Sequence, residues 1–370
     1  MRYLLIFLLT LALHAIETPQ RMSFEWSFSG LPILKASLTA KNGSNKSVRM
    51  LLDTGTSTTV LDRSVSSAFV STAGPETTAR TSFGGELNVE PIIIHKLELA
   101  GISVEELTGL RSDLSLFNRT EDLPIDGIIG IDVIKKFKFI LDLKNREIIW
   151  GGNPNGFYLQ KVAYTETGTP TVTLTISNKK ITALVDTGDN GALELTEDDY
   201  AHFKSNADMI SDGTQVDATR LSKESIVHVS PRAVNLGGKS WCNIYIVSRP
   251  GLVLSRLGIG AMWDSIWFDF QNNQIGLAIG SSGCFNSHGP IRMPIHAFWD
   301  RTGSMPKLVV VGVKPNSYYE KIGLKSGDTL LGVGEIGGEE LSLVNLEKTL
   351  RGEPRVNIKI ERNGKIIQLQ

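Results

Sequence analysis

Leu51-Leu52-Asp53-Thr54-Gly55-Thr56-Ser57 is the stretch on which the fold turns. Two apolar residues lead into an acid, a hydroxyl and a glycine, and Val60-Leu61 follow. An apolar strand that ends in a charge and then in a residue free to take unusual dihedrals puts a carboxylate at a tight turn. One such turn is ordinary surface chemistry, since Asp and Gly favour turns. Here it recurs: Leu184-Val185-Asp186-Thr187-Gly188 repeats the string 133 positions later. Two copies of one acid-bearing turn in one chain suggest two carboxylates brought face to face.

The surroundings of the two turns repeat as well. Leu34, Ala36, Leu38 and Ala40 alternate with polar residues ahead of the Asn42-Gly43 turn, and Val172, Leu174 and Ile176 alternate ahead of Asn178. That period of two predicts half-buried strands, the next of which delivers each acid. Leu97-Glu98-Leu99-Ala100-Gly101 closes 48 residues after Asp53, and Val234-Asn235-Leu236-Gly237-Gly238 closes 52 after Asp186. Gly127-Ile128-Ile129-Gly130 and Leu257-Gly258-Ile259-Gly260 close 77 and 74 residues after the same acids. In both, the closing glycine is expected where a strand threads backbone against backbone beside the acid turn. Phe139 to Asn145 and Ile266 to Asn272 each read as a strand entering an Asn-containing hairpin. Four features in one order describe a duplicated β-rich lobe, with a junction in the loop-forming cluster Gly151-Gly152-Asn153-Pro154-Asn155-Gly156.

Bulk properties narrow the classes. At 370 residues there is room for two or three domains. A net charge of −1 gives no basic excess of the kind nucleic-acid binders carry, so no nucleic-acid partner is expected. Met1-Arg2, the apolar run Tyr3 to Leu13 and then His14-Ala15 fit a secretory signal over residues 1–15. The run is short of the roughly 20 residues a span requires, and a retained anchor is the competing reading. The expected mature protein is therefore exported, periplasmic or extracellular, with no membrane span after signal removal. The two cysteines, Cys242 and Cys284, permit a disulfide or two buried thiols, and no His-bearing motif marks either as a nucleophile. His spacing fits no metal-ligand motif.

From about Gly289 the pattern changes. Lys307 to Val313 reads as a strand, Ser317 to Leu324 as a short helix, Leu343 to Leu350 as a second helix, and Val356 to Ile360 as a final strand before the Arg362-Asn363-Gly364-Lys365 hairpin. A module of about 80 residues is able to fold alone.

On these residues the first two lobes resemble the aspartic peptidases of the pepsin and retropepsin type, over about 25–280. Asp53-Thr54-Gly55-Thr56-Ser57 matches the family's catalytic turn, and Gly127-Ile128-Ile129-Gly130-Ile131-Asp132 the strand beside it. The last module resembles a PDZ domain through Val311 to Ser317 and Gly323-Leu324-Lys325-Ser326-Gly327-Asp328, without a clear Gly-Leu-Gly-Phe-type carboxylate loop ahead of Leu308. The combination is similar to exported bacterial aspartyl proteases with a C-terminal PDZ domain.

The resemblance implies a mainly β fold: lobes at 25–150 and 157–282, each an acid-protease β-barrel, and an α+β PDZ-like domain at 289–370. It implies an aspartic endopeptidase acting on polypeptides, with Asp53 and Asp186 catalytic and no cofactor or metal. Two close carboxylates share one proton, a pairing for which this family is a standard example. By position, Thr54 and Thr187 would cross-link the turns, Gly55 and Gly188 would admit backbone N–H groups, and Ser57 would hold the outer oxygen of Asp53. Asn190 would stand in the place of Ser57 in the second lobe. Asp189 departs from the pattern as a third negative charge, expected to favour proton retention and raise the working pH. Phe83-Gly84-Gly85 reads either as a flap over the cleft or as an ordinary hairpin tip. His95, Trp150, Trp263 and Trp267 are expected in packing, and Asn42, Asn45 and Asn118 fit glycosylation sequons. The PDZ-like module would capture a peptide or C-terminus at a strand edge. The competing reading is a catalytically weak or inactive peptide-binding scaffold. A homodimer of retroviral type is disfavoured because one chain supplies both turns.

Overall fold

The computed structural model describes residues 20–370 apart from 82, 100, 217–220, 230–231, 263, 288–293, 315 and 352–353. The expected signal at 1–15 lies outside the described residues, as does Trp263.

The chain is mainly β, and the described residues build four sheets. In the first lobe, strand Pro32–Thr39 pairs antiparallel with Asn45–Leu52, the strand that delivers Asp53. The alternation has its physical counterpart, with Leu34, Ala36 and Leu38 buried and Lys35 exposed. In the second lobe Pro170–Ile176 pairs with Lys179–Asp186 in the same way. Ser177 and Asn178 take positive φ between them, a tight hairpin turn. The segments around Leu97 and Leu236 both return to pair with the strand ahead of the acid-bearing one, Pro32–Thr39 and Pro170–Ile176.

Between the lobes lies a six-stranded sheet in the order 21–23, 147–150, 138–142, 265–269, 274–278, 157–161. Its central seam is the antiparallel pair Lys138–Asp142 with Ser265–Asp269, setting Phe139 opposite Phe268 and Ile140 opposite Trp267. The Phe139 and Phe268 rings stand 5.0 Å apart. The two segments that matched in the sequence are thus neighbours across a seam, and a single apolar core runs through both lobes. Trp150 and Trp267 are buried in packing, with Trp267 Nε1 donating to the Gly152 carbonyl.

Cys242 and Cys284 form a disulfide, with Cα atoms 5.4 Å apart beside the Trp241–Phe285 bridge. His95 Nε2 meets the Ser71 hydroxyl at 2.8 Å. Asn118 lies inside the fold. Its amide is buried, donating to the Ile125 carbonyl and accepting the Ile125 N–H, so in the folded chain it is closed to glycosylation.

Residues from Ile295 form a separate sheet in the order 295–300, 307–313, 329–333, 358–362, 365–369, with helices Tyr318–Lys321 and Leu343–Leu350 and a core of its own. The first helix is shorter than the Ser317 to Leu324 expected, because Gly323 at φ +89 ends it. The last hairpin runs Ile358–Arg362 to Lys365–Leu369. Phe28 of the first lobe packs against the core of this module, and the segment 118–122 supplies hydrogen bonds to it. Asp122 accepts from Trp299 Nε1 and from the Leu343 and Val344 N–H groups, capping helix Leu343–Leu350. Trp299 N–H donates to the Arg119 carbonyl, and the Arg301 guanidinium to the carbonyls of Asn118, Glu121 and Asp122.

Candidate active site

Each acid turn sits at the end of a strand that another strand flanks in parallel. Gly127–Ile129 runs beside Met50–Leu52, and Arg256–Gly258 beside Leu184–Asp186. At Gly130 a Cβ would fall 2.7 Å from the Thr58 carbonyl carbon, and at Gly258 one would fall 2.4 Å from the Gly191 carbonyl oxygen. The register corrects the sequence match: Gly258, not Gly260, is the counterpart of Gly130. The hydrogen bonds agree, since Ile131 N–H donates to the Thr56 carbonyl and Ile259 N–H to the Asp189 carbonyl.

The turns interlock across the lobes. Thr54 Oγ1 donates to the Val185 carbonyl at 2.6 Å and Thr187 Oγ1 to the Leu52 carbonyl at 2.8 Å. In return each hydroxyl accepts the other threonine's N–H at 3.0 Å. Both threonines are fully buried. Gly55 lies against the Asp186 carboxyl, where an added Cβ would fall 2.6 Å away, and Gly188 lies against that of Asp53 at 2.4 Å. A side chain at either glycine would fill the space the opposite acid occupies. Asp53 and Asp186 are thereby brought together.

Hydrogen bonds orient them. Asp53 Oδ1 accepts the Gly55 N–H at 2.7 Å, and Asp186 Oδ1 the Gly188 N–H at 2.9 Å. The outer oxygen of Asp53 accepts a hydroxyl at 2.5 Å from Thr56, one residue earlier than the expected Ser57. Asn190 departs too, its side-chain amide donating to the Ser29 carbonyl at 2.8 Å. Thr56 and Asp189 are the equivalent positions, and a carboxyl in place of a hydroxyl leaves Asp186 without the donor that Asp53 has. Asp132 anchors the first turn from the threading segment, accepting the N–H and hydroxyl of Thr59.

Burial, then the charge of Asp53, push the Asp186 carboxyl up to about 7, against the pull of Arg256. Burial and the Glu194 charge push Asp189 up to about 7 as well. Asp189 is therefore no bare third charge: it is 7% exposed, and its Oδ2 faces Arg256 Nε at 3.5 Å. Arg256 Nη1 reaches Asp186 Oδ2 at 3.5 Å, and Nη2 reaches Glu194 Oε2 at 2.9 Å. Glu194 also accepts from Arg249 at 2.6 Å. Burial opposes its charge, but Arg249 and Arg256 outweigh that and hold it below the usual carboxylate range. The sequence reading missed Arg256 and Glu194. The signal was a charged residue opening an otherwise apolar run, Arg256-Leu257-Gly258-Ile259.

The hairpin Thr77–Arg80 with Glu86–Val89 carries Phe83-Gly84-Gly85 at its tip. Gly84, at φ +73, comes within 3.9 Å of Val253 measured from an added Cβ, and the Phe83 ring lies over the Arg256 guanidinium at 4.6 Å. The tip therefore reaches the second lobe at Val253 and Arg256.

Residues 37–133 match the family described as aspartyl protease. The matched segment runs from strand Pro32–Thr39 past Asp53 and the threading strand to Val133. No curated protein matches the chain. Among solved structures, an aspartic proteinase from Irpex lacteus is similar with a TM-score of 0.48 and 11% identity, over 70% of this chain and 98% of that one. Conglutin gamma, a basic 7S globulin from lupine seeds, is similar with a TM-score of 0.43 and 11% identity, over 71% and 96%.

Proposed function

We propose that this protein is an aspartic endopeptidase, hydrolysing polypeptides with a water activated between Asp53 and Asp186. The observation that carries the reading is the reciprocal packing of each acid on the other lobe's glycine, beneath the crossed threonines. Two carboxyls held so close favour one shared proton, and they titrate as a pair. The ionised partner takes a proton from the water while the protonated partner donates to the scissile carbonyl oxygen. Attack gives a tetrahedral diol, and the proton passes to the leaving nitrogen as the C–N bond breaks. The chemistry described calls on neither a metal nor a covalent intermediate. The match of residues 37–133 supports an aspartic peptidase. The lobes correspond to 25–150 and 157–282.

The same reading assigns 289–370 to a PDZ-like domain and the mature protein to an exported compartment, periplasmic or extracellular. The Cys242–Cys284 disulfide is in keeping with an oxidising compartment. A second reading, a peptide-binding scaffold with weak or no catalysis, draws on Asp189 and Asn190 standing where a small hydroxyl residue and Ser are usual. Incubating the purified protein with a mixed peptide pool and sequencing the new termini separates the two. Internal cleavage at many sites supports the endopeptidase; peptides retained intact on the protein support the scaffold.

A further inference from the structure

The two lobes differ at three facing positions. In the first, Ile128 on the threading strand pairs with Leu51 and Val60, and Thr56 stands on the acid turn. In the second, Arg256 takes the place of Ile128, pairing with Leu184 and Glu194, beside Asp189. An apolar pair and a hydroxyl have been exchanged together for a guanidinium and two carboxyls. These charges are deeply buried, with Arg256 7% exposed and Glu194 1%. Burying ions is costly unless each is paired in good geometry, so a simple need to fill the core would be met by residues like Ile128 and Val60.

What the exchange does is visible at the acids. Asp53 and Asp186 use their Oδ1 atoms alike, on the Gly55 and Gly188 N–H groups. Their Oδ2 atoms differ: that of Asp53 takes the Thr56 hydroxyl, and that of Asp186 faces Arg256 Nη1. Glu194 holds the guanidinium from below, itself held by Arg249, and the Phe83 ring of the hairpin tip covers it from above. The charged groups around Asp186 are then Asp53 on the opposite turn, Asp189 on its own turn and Arg256 on the threading strand, with Glu194 and Arg249 behind.

We propose that Arg256 is a positioning residue for the dyad, supporting the outer oxygen of Asp186 as Thr56 supports that of Asp53, and linking that acid to the hairpin tip through Phe83. The proposal rests on Asp53 and Asp186 being the catalytic pair. A fixed cation at this place favours the singly ionised dyad at lower pH than two buried acids alone would reach. Its closing by Phe83 joins tip position to charge placement, so substrate entering beneath the tip meets a dyad whose second acid is already oriented.

The test compares the wild type with Arg256→Gln and with Glu194→Gln/Arg256→Gln, the latter removing both partners so that Glu194 is not left as an unpaired buried charge. Two readouts are taken: the pH profile of kcat/KM on a cleaved peptide, and the carboxyl-carbon NMR titration of the aspartates. Loss of a cation at this distance raises the dyad's apparent pKa values by about one unit, so both limbs of the profile move to higher pH. The carboxyl titration moves with them in whichever variant folds. A rate lowered evenly across the profile, or a titration unmoved in the folded variants, overturns the proposal and leaves Arg256 a packing residue. If the wild type cleaves nothing, the peptidase reading fails, and the titration alone still decides what Arg256 does to Asp186. Phe83→Leu, which keeps the apolar tip but removes the aromatic face, is expected to raise KM more than it lowers kcat; unchanged KM overturns the link to the tip.

Discussion

Thr54 and Thr187 each place a hydroxyl on the carbonyl just ahead of the other lobe's acid, Thr54 on Val185 and Thr187 on Leu52, and each accepts the other's N–H. Four buried polar groups are satisfied by one crossing. Thr187→Ala strips the Leu52 carbonyl and the Thr54 N–H of their partners, and an unmade buried hydrogen bond costs about 1–3 kcal/mol. The variant is expected to unfold at lower urea and to lose kcat with little change in KM, because the acids lose their fixed spacing. Thr187→Ser, which keeps the hydroxyl, is expected to retain most of both. Urea titration beside steady-state kinetics checks this.

Asp186 and Asp189 should each contribute stability that is lost between acid and neutral pH, opposite in sign to the contribution of Glu194. Asp186 and Asp189 have folded values of about 7 against an ordinary 3.8. Below the ordinary value both states hold the protons; between the two values the unfolded chain releases them while the folded chain keeps them. The unfolded state is favoured increasingly across that window, and the trend ends above about 7. Asp186→Asn should flatten part of the slope. Urea midpoints of the wild type and Asp186→Asn measured through the window test it, and a difference between the two that does not change with pH contradicts it.

Gly258→Ala is expected to be far more damaging than a surface glycine change. Its Cβ would lie 2.4 Å from the Gly191 carbonyl oxygen and 2.8 Å from that of Asp189, both backbone atoms. Overpacking of this kind costs about 1–3 kcal/mol and sometimes more. Denaturant midpoints for Gly258→Ala and for Gly303→Ala, an exposed glycine whose added Cβ would meet nothing nearer than the Met305 carbonyl oxygen at 3.8 Å, make the comparison.

Asp122→Ala removes a double cap on helix Leu343–Leu350 and a partner of Trp299. Loss of a cap costs about 0.5–2 kcal/mol. Faster hydrogen exchange at Leu343 and Val344 is expected, confined to the last module and the 118–122 segment. Exchange spreading instead through the acid turns would mean that the module supports the lobes more widely than these contacts describe.

Much of the architecture was legible because it is written twice. Alternation around Leu34 and Val172, the Asn turns and the two Asp-Thr-Gly strings are local signals, and duplication made each more specific. The strands at Phe139 and Ile266 could be matched, but that they pair with each other depends on how the lobes meet, which no local pattern encodes. The fine structure of the site resisted reading for a similar reason. Thr56 rather than Ser57 holds Asp53, and Asn190 turns to Ser29, because a one-residue choice in a tight turn is settled by backbone geometry. Gly260 was matched in place of Gly258 since both close an apolar run, and only the strand register separates them. That shift hid Arg256, whose meaning depends on Asp189 and Glu194 reaching it from two other segments.

On the proposed function, Asp53 and Asp186 act as one unit on a shared proton. The most direct measurement is peptide-pool cleavage by the wild type beside Asp53→Asn and Asp186→Asn, with all three shown to be folded. Each substitution keeps the shape of the side chain and removes its ability to ionise, so either alone should abolish cleavage by the wild-type chemistry. Cleavage at the wild-type rate by either variant would contradict the account.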